Sequence, residues 1–151
     1  MESKQFNKIH IGSDHAGYEY KQALIEALNS WGVNVVDQGP YGTDSCDYPD
    51  YVHPAVNAIK DLPEQAAVLI CGSGNGVCMT ANKYAHMRAA LCWNQELSSL
   101  ARLHNNANGL CIPARFVDLD TALKMLHTFL NTPFEGGRHQ RRVTKISEPN
   151  S

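Results

Sequence analysis

The sequence has no C-x-x-C pair, no apolar run approaching the ~20 residues of a membrane span, and no marked excess of either charge. Each absence removes a class of function. Lys and Arg number 13 against 15 Asp and Glu, a formal net charge of -2, which argues against a nucleic-acid or acidic-surface binder. The stretch Met1-Glu2-Ser3-Lys4-Gln5-Phe6-Asn7-Lys8 lacks the apolar core of a signal peptide. A cytoplasmic protein with neither membrane nor nucleic acid as partner is therefore expected. The five cysteines, Cys46, Cys71, Cys78, Cys92 and Cys111, are odd in number and include no C-x-x-C pair, which argues against a disulfide framework and a structural zinc site. They are expected to be reduced thiols, most of them small core residues. At 151 residues the chain reads as one domain over 1–151, with a C-terminal arm from about 133 to 151.

What is present is an alternation of short apolar strands with amphipathic helices. Residues 8–12 read as a first strand and 33–37 as a second. Between them Ala16, Tyr20, Ala23, Leu24, Ala27, Leu28 and Trp31 recur on one helical face, with Gly32 placed to end the helix. Residues 38–50, with two glycines and two prolines, form a loop of functional length, and 51–60 a helix. The unbroken run Ala66-Ala67-Val68-Leu69-Ile70-Cys71 is the signature of a strand covered on both faces. A helix over 75–84, a strand over 88–92, a helix over 94–103 and a strand over 109–112 follow. Asp118 is placed to cap a last long helix striped by Leu119, Ala122, Leu123, Leu126, Phe129 and Leu130. Such alternation predicts an α/β fold, a three-layer α/β/α Rossmann-like sandwich around a five-stranded parallel sheet.

In such sheets ligands bind beyond the carboxyl ends of the strands. The loops there carry Asp14-His15, Asp47-Tyr48, Cys71-Gly72-Ser73-Gly74-Asn75-Gly76, Asn94 and Arg115. The glycine turn leads from strand to helix, where unpaired N–H groups favour a phosphate or a developing enolate oxygen. A dinucleotide fingerprint needs G-x-G-x-x-G, and the residue three beyond Gly74 is Val77. Asp14 and His15 can move protons, although Asp14 fits a helix cap equally well. His104, beside Asn105 and Asn106, suits a helix C-terminus. His10 and His127 read as structural or solvent-facing. Arg138, His139, Arg141 and Arg142 follow the glycine pair Gly136-Gly137; arginine forks match phosphate oxygens, while an isolated basic run would be a solvated tail.

Five ordered motifs carry a resemblance over residues 8–146: Ser13-Asp14-His15-Ala16-Gly17, Cys71-Gly72-Ser73-Gly74-Asn75-Gly76, Ala81-Asn82-Lys83, Ala101-Arg102-Leu103-His104-Asn105-Asn106-Ala107-Asn108 and Glu135-Gly136-Gly137-Arg138-His139. Together they resemble the ribose-5-phosphate isomerase B family, which includes galactose- and allose-phosphate isomerases. The resemblance implies interconversion of ribose 5-phosphate and ribulose 5-phosphate, a pentose phosphate pathway step, through a cis-enediolate with no cofactor and no metal. It makes Cys71 the base and gives Ser73 and the amides of Gly72, Gly74, Asn75 and Gly76 the anion hole, with Ser73 where threonine is common. Asp14, His15, Tyr48 and His104 match positions tied to ring opening, substrate hydroxyls and phosphate. Arg115, Arg138, His139 and Arg142 match phosphate contacts, with Asn105 nearby. Some members lack the cysteine and use a glutamate just after the turn; here that place is Val77, which points to the cysteine branch. The resemblance also implies a homodimer or dimer of dimers with shared sites. The alternatives are an isomerase of allose 6-phosphate or galactose 6-phosphate, a non-catalytic sugar-phosphate-binding module, and a nucleotide-binding module.

Overall fold

The computed structural model describes residues 3–148. Met1 and Glu2 of the polar N-terminal stretch, and the last three residues of the expected arm, lie outside them. Five strands are present: β1 (Lys8–Ser13), β2 (Asn34–Asp37), β3 (Gln65–Cys71), β4 (Ala89–Leu91) and β5 (Gly109–Pro113). All pairs are parallel, in the order β2-β1-β3-β5-β4. The run that ends in Cys71 shows why the sheet is covered on both sides. Ala66, Val68 and Ile70 enter one core, and Ala67, Leu69 and Cys71 the other. Side chains alternate across a strand, so an unbroken apolar run needs an apolar layer on each face.

The helices are α1 (Tyr18–Ser30), α2 (Pro49–Ala58), α3 (Asn75–Ala81), α4 (Gln95–Asn105), α5 (Leu119–Asn131) and α6 (Arg138–Ile146). Right-handed crossovers decide their sides. The steps from β1 to β2 and from β4 to β5 run one way across the sheet and place α1 and α4 on one face, where α5 joins them. The steps from β2 to β3 and from β3 to β4 run the other way and place α2 and α3 opposite. The two cores follow this division: Leu24, Leu28, Ala101, Met125 and Phe129 in one, Val52, Val56, Val77 and Ala81 in the other. Helices leaving β1 and β5 thus take the opposite face from the helix leaving β3. Crevices open on either side of Cys71.

Several boundaries differ from expectation, each for a local reason. α2 starts at Pro49, whose fixed φ suits a first helical turn. α3 stops at Ala81, because the Asn82 side chain turns to clamp Ala89, accepting its N–H at 2.8 Å and donating to its carbonyl at 3.0 Å. Asp118 caps α5 as predicted, accepting the Thr121 N–H at 2.8 Å, and hydrogen bonds from the Thr121 side chain and then from this N–H hold its carboxyl below the ordinary range. Within the expected arm the chain forms α6, a helix for which the sequence reading gave no boundaries. It buries His139 and Val143, four residues apart on one face, and its end is tied down by Ser147 Oγ donating to Ala85 O at 2.8 Å.

Candidate active site

Cys71 ends β3 and is 4% exposed. The turn after it is held to β5 by Ala114 N–H donating to Cys71 O at 2.9 Å and Arg115 N–H donating to Gly72 O at 3.0 Å. These bonds bring the Arg115 side chain over Gly72, where an added Cβ would lie 3.3 Å from its Cδ and Nη1. Gly74 turns the chain at φ 75° into α3. Ser73 Oγ accepts the Asn75 N–H at 3.2 Å, which leaves its own proton free to donate. That bond occupies one of the predicted anion-hole amides. The N–H groups of Ser73, Gly74 and Gly76 donate to no described residue.

The opposite wall comes from loops after β1 and β2. The ladder between β1 and β3 is extended by Asp14 N–H donating to Ile70 O at 3.1 Å, so Asp14 sits one strand away from Cys71. Its Oδ1 accepts the Gly17 N–H at 3.0 Å, shaping the turn into α1. His15 Nδ1 accepts the Cys46 N–H at 3.3 Å, tying the loop over 38–50 to β1 and leaving Nε2 to carry the ring proton in the neutral form. Tyr48 lays its ring on Gly76: an added Cβ there would fall 2.4 Å from Cζ and 2.8 Å from the hydroxyl. Only glycine at 76 admits the phenol to the first turn of α3. Sequence reasoning missed Cys46, the one thiol of this loop. Burial raises its pKa foremost, with the Asp14 and Asp47 carboxylates adding to the rise, and nothing in its spacing signalled that position.

The remaining predicted residues lie elsewhere. α4 runs antiparallel to the strands, so its last residues, His104 and Asn105, stand at the amino-end edge of the sheet, opposite Cys71. The arm joins them there. Glu135 N–H donates to Leu103 O at 3.0 Å, and the His139 ring stacks on His104 with centroids 4.3 Å apart and planes 14° from parallel. Arg138, His139 and Arg142 therefore belong to this second cluster, on or beside α6. A single chain brings Asp14, His15, Tyr48, Cys71, Gly72, Ser73, Gly74, Asn75, Gly76 and Arg115 together. It does not bring His104, Asn105, Arg138, His139 or Arg142 to them. Sequence reasoning also left out Glu135, whose Oε1 lies 3.6 Å from His139 Nε2. Among the described residues, His104, Glu135 and His139 are the one group whose ligand atoms, all within 4.8 Å of one another, could hold a metal ion. The parallel rings direct their in-plane lone pairs side by side, so they would have to leave their stack to share an ion.

No helix among the described residues is long and apolar enough to cross a membrane. A family model described as Ribose/Galactose Isomerase matches residues 9–146. The ribose-5-phosphate isomerase B of Escherichia coli strain K12 is 36% identical over 140 residues, covering 93% of this chain and 94% of the relative. The structure of ribose 5-phosphate isomerase B from Anaplasma phagocytophilum superposes with a TM-score of 0.91 at 43% identity, covering 95% of this chain and 99% of that one. The enzyme of that name from Mycoplasma genitalium, solved with bound ribulose-5-phosphate, gives 0.90 at 43% identity and 96% coverage of both chains. With the family model matched over residues 9–146, a TM-score of 0.91 and near-complete coverage in both directions, the chain belongs to the ribose/galactose isomerase family.

Proposed function

We propose that the chain is an aldose–ketose isomerase that interconverts ribose 5-phosphate and ribulose 5-phosphate, with Cys71 as the base. The supporting observation is the convergence, at the carboxyl ends of β1, β3 and β5, of a thiol, a hydroxyl with a free proton, unpaired amides, Asp14-His15 and Arg115. The Cys71 thiolate takes the proton from C2 of the open sugar and returns it to C1. Ser73 and the amides of Gly74 and Gly76 stabilise the enediolate oxygens as charge develops. Asp14 and His15 serve ring opening and the sugar hydroxyls, and Arg115 faces the phosphate.

The second cluster completes the site from another copy of the chain. Two copies related by a two-fold axis would each present His104, Asn105, Arg138, His139 and Arg142 to the other's Cys71, giving a homodimer with two composite sites. What supports this is the division of the predicted residues between opposite edges of one sheet, which no rotamer change can bridge.

Purified protein should turn over ribose 5-phosphate without added cofactor and in the presence of chelator. Allose 6-phosphate and galactose 6-phosphate assayed alongside discriminate the six-carbon alternative by relative kcat/KM. Cys71→Ala should lower kcat by at least about 100-fold. Near wild-type turnover by that variant would remove Cys71 from the chemistry.

A further inference from the structure

Arg88 and Arg102 meet at the amino-end edge of the sheet, and neither has an anionic partner among the described residues. Arg102, on α4, is 4% exposed. Its Nε donates to Thr132 O at 3.0 Å, and its Nη1 to Asn106 Oδ1 at 3.0 Å and Ala107 O at 2.6 Å. The guanidinium also lies 4.8 Å from the Phe6 ring centroid and 5.9 Å from that of Phe129. Arg88, just before β4, donates Nε to Asn106 O at 2.8 Å. Every one of these acceptors is neutral. Among the described residues no carboxylate forms an ion pair with either guanidinium.

Burial lowers both pKa values, and the charge of Arg88 helps bring that of Arg102 down to about 10, so both remain protonated at neutral pH. Two desolvated like charges held together without a counterion are costly. The two guanidiniums line a cavity of about 340 Å³ whose walls include Phe6, Asn106, Pro133 and Phe134 and no Asp or Glu. A neighbouring cavity of about 320 Å³, beyond Arg88, is lined by Asp61 and His86. Donors remain available: the terminal nitrogens of Arg88, Nη2 of Arg102 and Nδ2 of Asn106 donate to no described residue.

We propose that this cavity binds a small phosphate-type oxyanion between the guanidinium forks of Arg88 and Arg102, with the Asn106 amide as a further donor. Arginine forks match such oxygens in bidentate geometry, and removal from bulk water strengthens the bond. The site is separate from Cys71 and does not rest on the isomerase reading. It also has a structural consequence. Both arginines hold the turn over 106–108 that follows His104 and Asn105, so an anion bridging them fixes the end of α4.

The test is thermal unfolding in inorganic phosphate at constant ionic strength, carried out on the full chain with Arg115→Ala, Arg138→Ala and Arg142→Ala so that the arginines proposed for substrate phosphate are silent. Tm should rise by roughly 5–10 °C at about a hundred times Kd. Adding Arg88→Gln should abolish most of that rise. Arg88→Lys, which keeps the charge and loses the fork, provides a second variant should the glutamine variant fail to fold, and should need a markedly higher phosphate concentration for the same rise. Crystals soaked in tungstate should show an anomalous peak within hydrogen-bond reach of both guanidiniums. An equal phosphate response with and without the Arg88 substitutions, or no tungstate peak in this cavity, overturns the proposal. Failure of the isomerase reading would show in turnover and leave both measurements untouched.

Discussion

Replacing Gly74 by alanine measures how tightly the turn beneath Cys71 is specified. The residue stands at φ 75°, where an L side chain costs about 1–2 kcal/mol. The new Cβ would lie 2.4 Å from Leu91 Cδ1, a flexible end that can rotate away. It would also lie 3.2 Å from Pro113 N and 3.3 Å from Ile112 C, backbone atoms of β5 that can move only with the sheet. Overpacking of that kind costs about 1–3 kcal/mol, and the reduced freedom of the unfolded chain returns roughly 0.4–1 kcal/mol. The net loss is about 3 kcal/mol, or a fall in Tm of roughly 6–12 °C for a chain of this size. Gly136→Ala isolates the packing part. Gly136 has φ 72° and nothing within 4 Å of an added Cβ, so its loss should be only about 1 kcal/mol. Urea unfolding of both variants gives the comparison, and kcat of Gly74→Ala should fall because the Ser73 and Gly76 amides shift with the turn. A Gly74→Ala loss no larger than that of Gly136→Ala would refute the packing argument.

Lys21 is fully buried and reaches both oxygens of Asp37 at 2.8 and 2.9 Å, while Asp37 also accepts the Gly39 N–H at 2.9 Å. Lys21→Met should cost about 2 kcal/mol in urea unfolding, less than the ~3–5 kcal/mol of a fully buried pair, because the Asp37 side chain is 27% exposed and stays partly hydrated. The thiols should also separate by reactivity. Cys78, half-buried, is lowered to about 7, chiefly by its hydrogen bond with Cys111, whereas burial pushes Cys92 up to about 12. Alkylation of the native protein, followed by mass spectrometry, should therefore modify Cys78 before Cys92, with the Cys78 rate climbing through neutral pH and then levelling. Equal labelling of the two would show that the thiols do not differ in this way.

The fold was legible because its signals are local. The run from Ala66 to Cys71 carries its own evidence of two covering layers, and Asp118 and Gly74 sit where a cap and a turn require them. The carboxyl-end residues were legible for the same reason, since a parallel sheet dictates which loops share an edge. The position of His104 was equally implicit in the alternation of strand and helix, for the end of a crossover helix must lie at the other edge. Less was visible of what long-range packing decides. α6 buries only His139 and Val143 against the rest of the chain, too short a stripe to outweigh a run rich in arginine. Cys46 reaches His15 across 31 positions, a distance no spacing rule covers.

The central claim is that one catalytic unit is assembled from two edges on two copies of the chain. Cys71→Ala and Arg142→Ala chains, each inactive alone, should regain activity when mixed, unfolded and refolded together. Random pairing makes half the dimers mixed, each with one intact site of two, so recovery should approach about a quarter of wild-type kcat. Mixtures no more active than the separate variants would contradict the shared site and confine the chemistry to one chain.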